Sequence, residues 1–363
     1  MNVENRVERP RVGIIGAGAA GMSAALLLAR HGIDFQILEA ASSHGGRIKH
    51  VDDFVDFPIA LGAEWLTAPA RELEAIVDDP RVEITTSLVA YGHGDRLGYY
   101  DRALSIEPLG DIGYFNFVDA SWLRFFDTYV VPKIASRMAF STRITELDRS
   151  GRVVRLTDAR GEVREFDRVL VTAPLRALRD GGIRFVPPLS GAKREAIRSA
   201  TVWGGIKAFF VFSRRFYPTF LEFSDSDTPT GQRCYYDAAY GRASDAHVLG
   251  LFAVGSAAQP YVARSGDALR DHVLAELDHV FGGVASRTYL RHVAQNWDDE
   301  PFVQQAYLSD HEDPRVPRAL WEPLDERVFF AGEAYTRHGD WGGVDDATRA
   351  ARDAVARLLV GLR

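Results

Sequence analysis

Val12-Gly13-Ile14-Ile15-Gly16-Ala17-Gly18-Ala19-Ala20-Gly21 is the stretch that decides the fold. It is an apolar run that ends in Gly-x-Gly-x-x-Gly. An Ala-rich segment, Met22 to Arg30, follows and reads as a helix; a second apolar run, Phe35 to Leu38, then ends on Glu39. The order is strand, tight turn, helix, and a strand closed by an acid. Gly16 permits the turn, Gly18 lets the backbone approach a pyrophosphate, and Gly21 lets helix and strand pack closely. The free N–H groups at the helix start face the phosphates. Glu39 stands 18 residues after Gly21, where an acid accepts hydrogen bonds from a ribose. The plain alternative is a glycine-rich turn that binds nothing. Both strands, the helix and the acid in register argue for a dinucleotide site instead.

Moving outward, Ser42-Ser43-His44-Gly45-Gly46-Arg47 follows the acid directly. Two glycines and an arginine there can wrap the same pyrophosphate from the other side, with the Arg as a charged donor. Near the other end of the chain, Arg327-Val328-Phe329-Phe330-Ala331-Gly332-Glu333 reads as a buried strand ending in Gly-Glu, and Gly339 to Asp345 as a glycine-rich turn. Val344, Ala347, Ala351, Ala354, Val355 and Leu358 then fall at helical spacing, which makes a second helix N-terminus available to a ligand. One site built from both ends of the chain suits a long, extended cofactor.

These residues resemble the flavin-dependent amine oxidases, the family of monoamine, polyamine and L-amino-acid oxidases. The resemblance rests on Gly16-x-Gly18-x-x-Gly21, Glu39, Gly45-Gly46-Arg47, Leu61-Gly62-Ala63-Glu64-Trp65, Asp167 to Pro174, and Phe330-Ala331-Gly332-Glu333. It is dense at both ends and in the middle, and sparse between residues 67 and 130. It implies FAD as cofactor, with contacts from Gly16, Gly18, Ala20, Gly21, Glu39, Ala40, Gly46, Arg47, Gly62, Ala63, Glu64, Ile144, Gly332, Glu333, Gly343 and Val344. It also implies an α/β fold, a Rossmann-like FAD-binding domain with a second, smaller α+β substrate domain. The motifs place the FAD domain in residues 1–66, 131–186 and 320–363, and the substrate domain, over the flavin, in residues 67–130 and 187–319.

Composition sets outer bounds. With 363 residues, 46% of them hydrophobic, the chain can bury a large core and form two domains. A net charge of −7 argues against a nucleic-acid surface. No apolar run reaches the length of a membrane span, and residues 1–10 are too polar for a secretory signal. Cys234 is the single cysteine, so no internal disulfide can form. The expectation is a cytoplasmic enzyme with no metal site. Residues 67–130 read as an irregular, aromatic-rich excursion. Strand-like runs fall at 143–147, 152–157, 168–172, Lys207 to Phe212 and His247 to Val254, and an amphipathic helix at about Asp267 to Val280.

Three positions carry the expected chemistry. Lys207 lies in Trp203-Gly204-Gly205-Ile206-Lys207-Ala208-Phe209-Phe210, and an unpaired ammonium in so apolar a strand is costly. By resemblance it is the lysine that hydrogen-bonds through a water to flavin N5; the plain alternative is an exposed lysine on an edge strand. The segment Asn296 to Tyr307 resembles the family's Trp-to-Tyr motif, with Tyr307 as one wall of an aromatic cage and Trp297 packing near the flavin. In covalently flavinylated members a cysteine precedes that tyrosine; here the residue is Ala306, so that link cannot form. A second cage tyrosine is missing because its position is Gly343, which leaves Trp341 as a substitute. Asp345 and Asp346 read as helix caps or as attractors of a cation. Glu64, beside Trp65, reads either as a partner for a substrate cation or as a surface acid.

The resemblance therefore implies an amine oxidase. A hydride would pass from an amine C–H to flavin N5 and O2 would be the final acceptor, giving imine and H2O2. A desaturase or dehydrogenase acting on a non-amine substrate, an NAD(P)H-oxidising flavoenzyme, and a non-catalytic FAD-binding protein stay open at this point.

Overall fold

The computed structural model describes residues 10–67, 69–92, 94–309, 313–337 and 342–361. The chain forms two compact units. The first comprises Met1–Gly46, Phe126–Thr201 and Leu308–Arg363; the second comprises Arg47–Phe125 and Val202–Tyr307.

The first unit is built on a five-stranded, all-parallel sheet. Its order is Val328–Phe330, Arg168–Val171, Arg11–Ile15, Asp34–Leu38, Met138–Ala139. Val12, Ile14, Val169, Leu170 and Phe329 are buried, as in a sheet covered on both faces. The helix Ala19–Arg30 follows the first strand and packs on the C-terminal helix Val344–Val360. Alanines on both helices let them approach closely. A four-stranded sheet completes the unit, in the order Val163–Phe166, Val154–Asp158, Ile144–Asp148, Arg184–Val186.

The second unit centres on an eight-stranded sheet. Its path runs Tyr289–Asn296, Gly205–Phe212, His247–Gly255, Gly231–Asp237, Phe220–Phe223, Arg96–Asp101, Ala103–Pro108, with Asp227–Thr228 attached to Gly231–Asp237. The helix Gly266–Phe281 lays Leu269, Val273 and Leu277 on one face, against Phe210, Tyr235 and Leu251. On the other face, Phe209, Phe220 and Tyr236 pack with Phe57, Ile59, Leu61 and Tyr91.

The structure draws the unit boundaries differently from the motif spacing. Residues 47–66 belong to the second unit, because Phe57, Ile59 and Leu61 are buried in its core. Residues 187–201 belong to the first. There the helix Gly191–Ser199, capped by the Ser190 side chain, packs on Arg315–Trp321. The segment expected to be irregular contains a hairpin, Arg96–Asp101 with Ala103–Pro108, that widens the sheet. Its tight turn passes through Arg102 in the left-handed region (φ 64°). Among the described residues no helix is long and apolar enough to cross a membrane, and no cluster of His, Cys, Asp or Glu could hold a metal ion.

Candidate active site

In the first unit, the expected cofactor residues follow the C-terminal ends of the parallel strands, where open α/β sheets bind ligands. Two of the three glycines in the first turn are required by the protein itself. Gly16 has φ +105°, and an added Cβ would lie 2.6 Å from Thr172 Oγ1; at Gly21 it would lie 2.0 Å from the Gly16 carbonyl oxygen. Gly18 is different, since nothing lies within 4 Å of an added Cβ. The chain leaves open space where the pyrophosphate of a dinucleotide would approach. The helix above, with Ala20 and Gly21 buried in its first turn, has no side-chain cap and no acid in that turn, so its N–H groups are free for an anion.

The second glycine pair closes on this turn. Gly45 N–H donates to the Ala17 carbonyl at 2.9 Å. Gly46 has φ +55°, and a Cβ added there would lie 3.5 Å from Gly18 Cα. Glu39 accepts from the backbone N–H groups of Ala17 at 2.6 Å and Ala41 at 2.8 Å. Burial raises its pKa, while N–H donors including that of Ala40 pull the other way. Ile144 is buried at the start of its strand. These features fit FAD: a bare helix N-terminus, an open glycine and an anchored acid.

The C-terminal pieces are arranged less openly. Gly332 has φ +148°, and the buried Glu333 accepts from Leu308 N–H at 3.2 Å. At the start of the last helix, Gly343 N–H donates to Asp346 at 3.0 Å, and Val344 is buried. Asp345 and Asp346 sit in that first turn, each with Arg349 nearby. This N-terminus, expected to be available to a ligand, is already capped by the chain's own carboxylate. Trp341 lies outside the described residues.

In the second unit, Lys207 is 4% exposed on an interior strand of the sheet, not on an edge. Its ammonium lies 2.6 Å from Glu64 Oε2. The Tyr236 hydroxyl donates to the same oxygen at 2.6 Å. Burial and the adjacent Glu64 carboxylate push the Tyr236 phenol well above its ordinary pKa, so it stays a donor. The rings of Trp65 and Tyr236 stand 5.0 and 5.2 Å from the ammonium. The cation beside Glu64 and Trp65 is thus the protein's own Lys207. Glu64 is buried and is not a surface acid.

Arg47 begins this unit and donates to the Ala306 carbonyl at 2.7 Å. Its own carbonyl accepts from Ala63 N–H at 2.9 Å. Gly62 is required here, because an added Cβ would lie 1.9 Å from the Arg47 oxygen. Trp297 is buried, with its indole N–H on the Leu61 carbonyl at 3.0 Å. The ring edge-on to Tyr307 is Trp203, with centroids 5.9 Å apart, and Ala306 N–H bonds the Trp203 carbonyl at 2.7 Å. Sequence reasoning missed Thr172, Trp203 and Tyr236. For Tyr236 the signal was alternation along a strand; for the other two no local pattern marked them.

A family model described as flavin containing amine oxidoreductase matches residues 132–359, and one described as an NAD(P)-binding Rossmann-like domain matches residues 14–80. Polyamine oxidase 3 of Oryza sativa subsp. japonica is 24% identical, over 92% of this chain and 86% of its own length. Lysine-specific histone demethylase 1B of Mus musculus is 23% identical over 90% of this chain, which spans 50% of that protein. A solved structure of wild-type putrescine oxidase bound to putrescine superposes with a TM-score of 0.79, covering 97% of this chain and 99% of the other; at 14% identity that likeness shows the fold. The first family match takes in more than half of the chain, so the chain belongs to the flavin containing amine oxidoreductases, FAD-dependent enzymes with a Rossmann-like cofactor domain.

Proposed function

We propose that this enzyme oxidises an amine with non-covalently bound FAD and dioxygen. The observation that carries this reading is Lys207, buried on an interior strand and paired with Glu64. Lys207 stands where the resemblance puts the lysine that serves flavin N5 through a water. When bound, FAD would supply the electron sink for the hydride of the amine's α-C–H, with dioxygen as the final acceptor and imine and hydrogen peroxide as products.

The chain's own residues do the rest. Glu39 binds the ribose, and the bare N-terminus of Ala19–Arg30 faces the pyrophosphate. Glu64 and Tyr236 hold the lysine ammonium in one place. Tyr307 offers its ring to the amine, with Trp203 against its edge. Trp297 fixes the Leu61–Gly62 backbone. Ala306 supports a free cofactor, because it has no sulfur to link. Cys234 supports it too, since burial pushes its thiol up to about 12 and keeps it unreactive. A lone cysteine is consistent with work in a reducing cytoplasm.

The test is anaerobic reduction of the bound flavin by a panel of amines and amino acids, with NADH alongside. Bleaching by amines, and flavin released into the filtrate on denaturation, is the expected result. Bleaching by NADH or a non-amine alone would replace the amine reading with a dehydrogenase one.

A further inference from the structure

One carboxylate oxygen beside Lys207 is committed and the other is not. Glu64 Oε2 accepts from the Lys207 ammonium and from the Tyr236 hydroxyl, both at 2.6 Å. Among the described residues nothing bonds Glu64 Oε1, and protein atoms do not seal it off. A buried acceptor is rarely left bare, so this oxygen is the place in the cluster that calls for a donor from outside.

Register puts the cluster on the face that carries the aromatic wall. Lys207 pairs with Phe252, and Phe252 with Cys234. Gln232, Cys234 and Tyr236 alternate onto that same face. Gln232 Oε1 accepts from the Tyr307 hydroxyl at 3.4 Å. Tyr307 and the Lys207–Glu64 pair therefore lie along one face, all within the second unit.

An alkylamine arrives as an ammonium ion, because such a group titrates at about 10.4, as a lysine side chain does. An ammonium has no lone pair with which to form a C=N bond, so it must shed a proton first. The titratable groups that face Glu64 offer one acceptor. Lys207 and Arg242 are already cations. Burial holds the Tyr236 and Tyr91 phenols far above their ordinary pKa, and it pushes the Cys234 thiol up to about 12, so all three keep their protons. The carboxylate is what remains.

We infer that Glu64 Oε1 takes a proton from the incoming ammonium, with Lys207 and Tyr236 as the clamp that aims it. This rests on the amine reading above. In the step an N–H bond breaks, its electron pair stays on nitrogen as the lone pair, and an Oε1–H bond forms. The net charge of the cluster and the amine together does not change. Lys207 keeps its ammonium, and the rings of Trp65, Tyr236 and Phe209, at 5.0, 5.2 and 5.7 Å, face that charge while Glu64 is neutral. Once the oxidised product has left, Glu64 gives the proton to solvent and regains its charge.

The test is the pH dependence of anaerobic flavin reduction, read as the apparent second-order rate constant with an alkylamine. With a base in place the ammonium is the useful form, so the wild-type constant should change less than about twofold between roughly pH 7 and pH 9. Glu64→Gln must wait for the neutral amine, so its constant should climb about tenfold per pH unit over the same range. An amine that arrives neutral should restore the variant. With β,β-difluoroalkylamines, whose nitrogen is far less basic, the ratio of variant to wild-type constant at neutral pH should rise at least about tenfold over that for the plain alkylamine. An equal ratio for the two amines overturns the inference and leaves amine oxidation standing. If Glu64→Gln does not fold, the wild-type profile decides: a constant that climbs about tenfold per pH unit overturns the inference without any variant. Flavin that no amine reduces overturns both this inference and the amine reading.

Discussion

The Lys207 ammonium and the Glu64 carboxylate lie 2.6 Å apart, with side chains only 6% and 3% exposed. Each charge is tolerated because the other is there. Removing one partner of such a pair costs about 3–5 kcal/mol, whereas replacing both is close to neutral. Lys207→Met and Glu64→Gln should therefore each lower stability in urea unfolding, and the double variant should recover most of the loss. Additive losses would mean that the two side chains do not depend on each other.

Lys207→Met also tests the chemistry. It should keep FAD bound, seen by absorbance, and slow turnover at least tenfold, about 1.4 kcal/mol of barrier. Turnover at the wild-type rate would reduce Lys207 to a structural residue.

The glycines of the first turn separate folding from binding. Gly18→Val places its Cβ where no heavy atom beyond the chain neighbours lies within 4 Å, so the apoprotein should melt close to wild type but fail to retain flavin. Gly21→Ala drives a methyl to 2.0 Å from the Gly16 oxygen and should lower the melting temperature of the apoprotein itself. Comparing circular-dichroism melts with flavin content checks both. A Gly18→Val protein that purifies yellow would refute the placement of the pyrophosphate.

Lys193 gives a pH dependence. Its ammonium is buried against the Phe330 ring at 3.5 Å and donates to the Leu320 carbonyl at 2.9 Å and to the Glu322 carbonyl. Burial pushes its pKa down to about 7. An unfolded lysine titrates near 10.4, so between these values the unfolded chain holds a proton that the folded one does not, and stability rises with pH. Below about 7 the penalty of burying the charge stands in full. Wild-type Tm minus that of Lys193→Met should climb from pH 7 to pH 10. A flat difference would show that Lys193 does not titrate in that window.

Much of this architecture was legible locally. The glycine turn, the Ala-rich helix and the acid at Glu39 sit within one short segment, and their spacing alone fixes a βαβ unit. The Lys207 strand was visible because its apolar neighbours run unbroken. The Arg96–Pro108 hairpin was not visible, because its alternation gains meaning only beside Phe220–Phe223. The partner of Lys207 lies 143 residues away, and no local pattern can give that register. The cap at Asp346 was weighed but not decided, since an acid in a first turn serves a cap and a ligand equally well.

The first unit is assembled from three separated lengths of chain, and the strand Val328–Phe330 and helix Val344–Val360 come from the last of them. During synthesis, residues 11–38 leave the ribosome early but cannot complete their sheet. Every residue of the second unit, up to Tyr307, precedes the pieces the first one lacks. The second unit can therefore be folded before the first has all its strands. A nascent chain stalled before residue 328 would display an unfinished parallel sheet, which is a surface for chaperones rather than for flavin. Flavin capture thus waits for the helix Val344–Val360, and retained yellow colour reports a chain made through that helix.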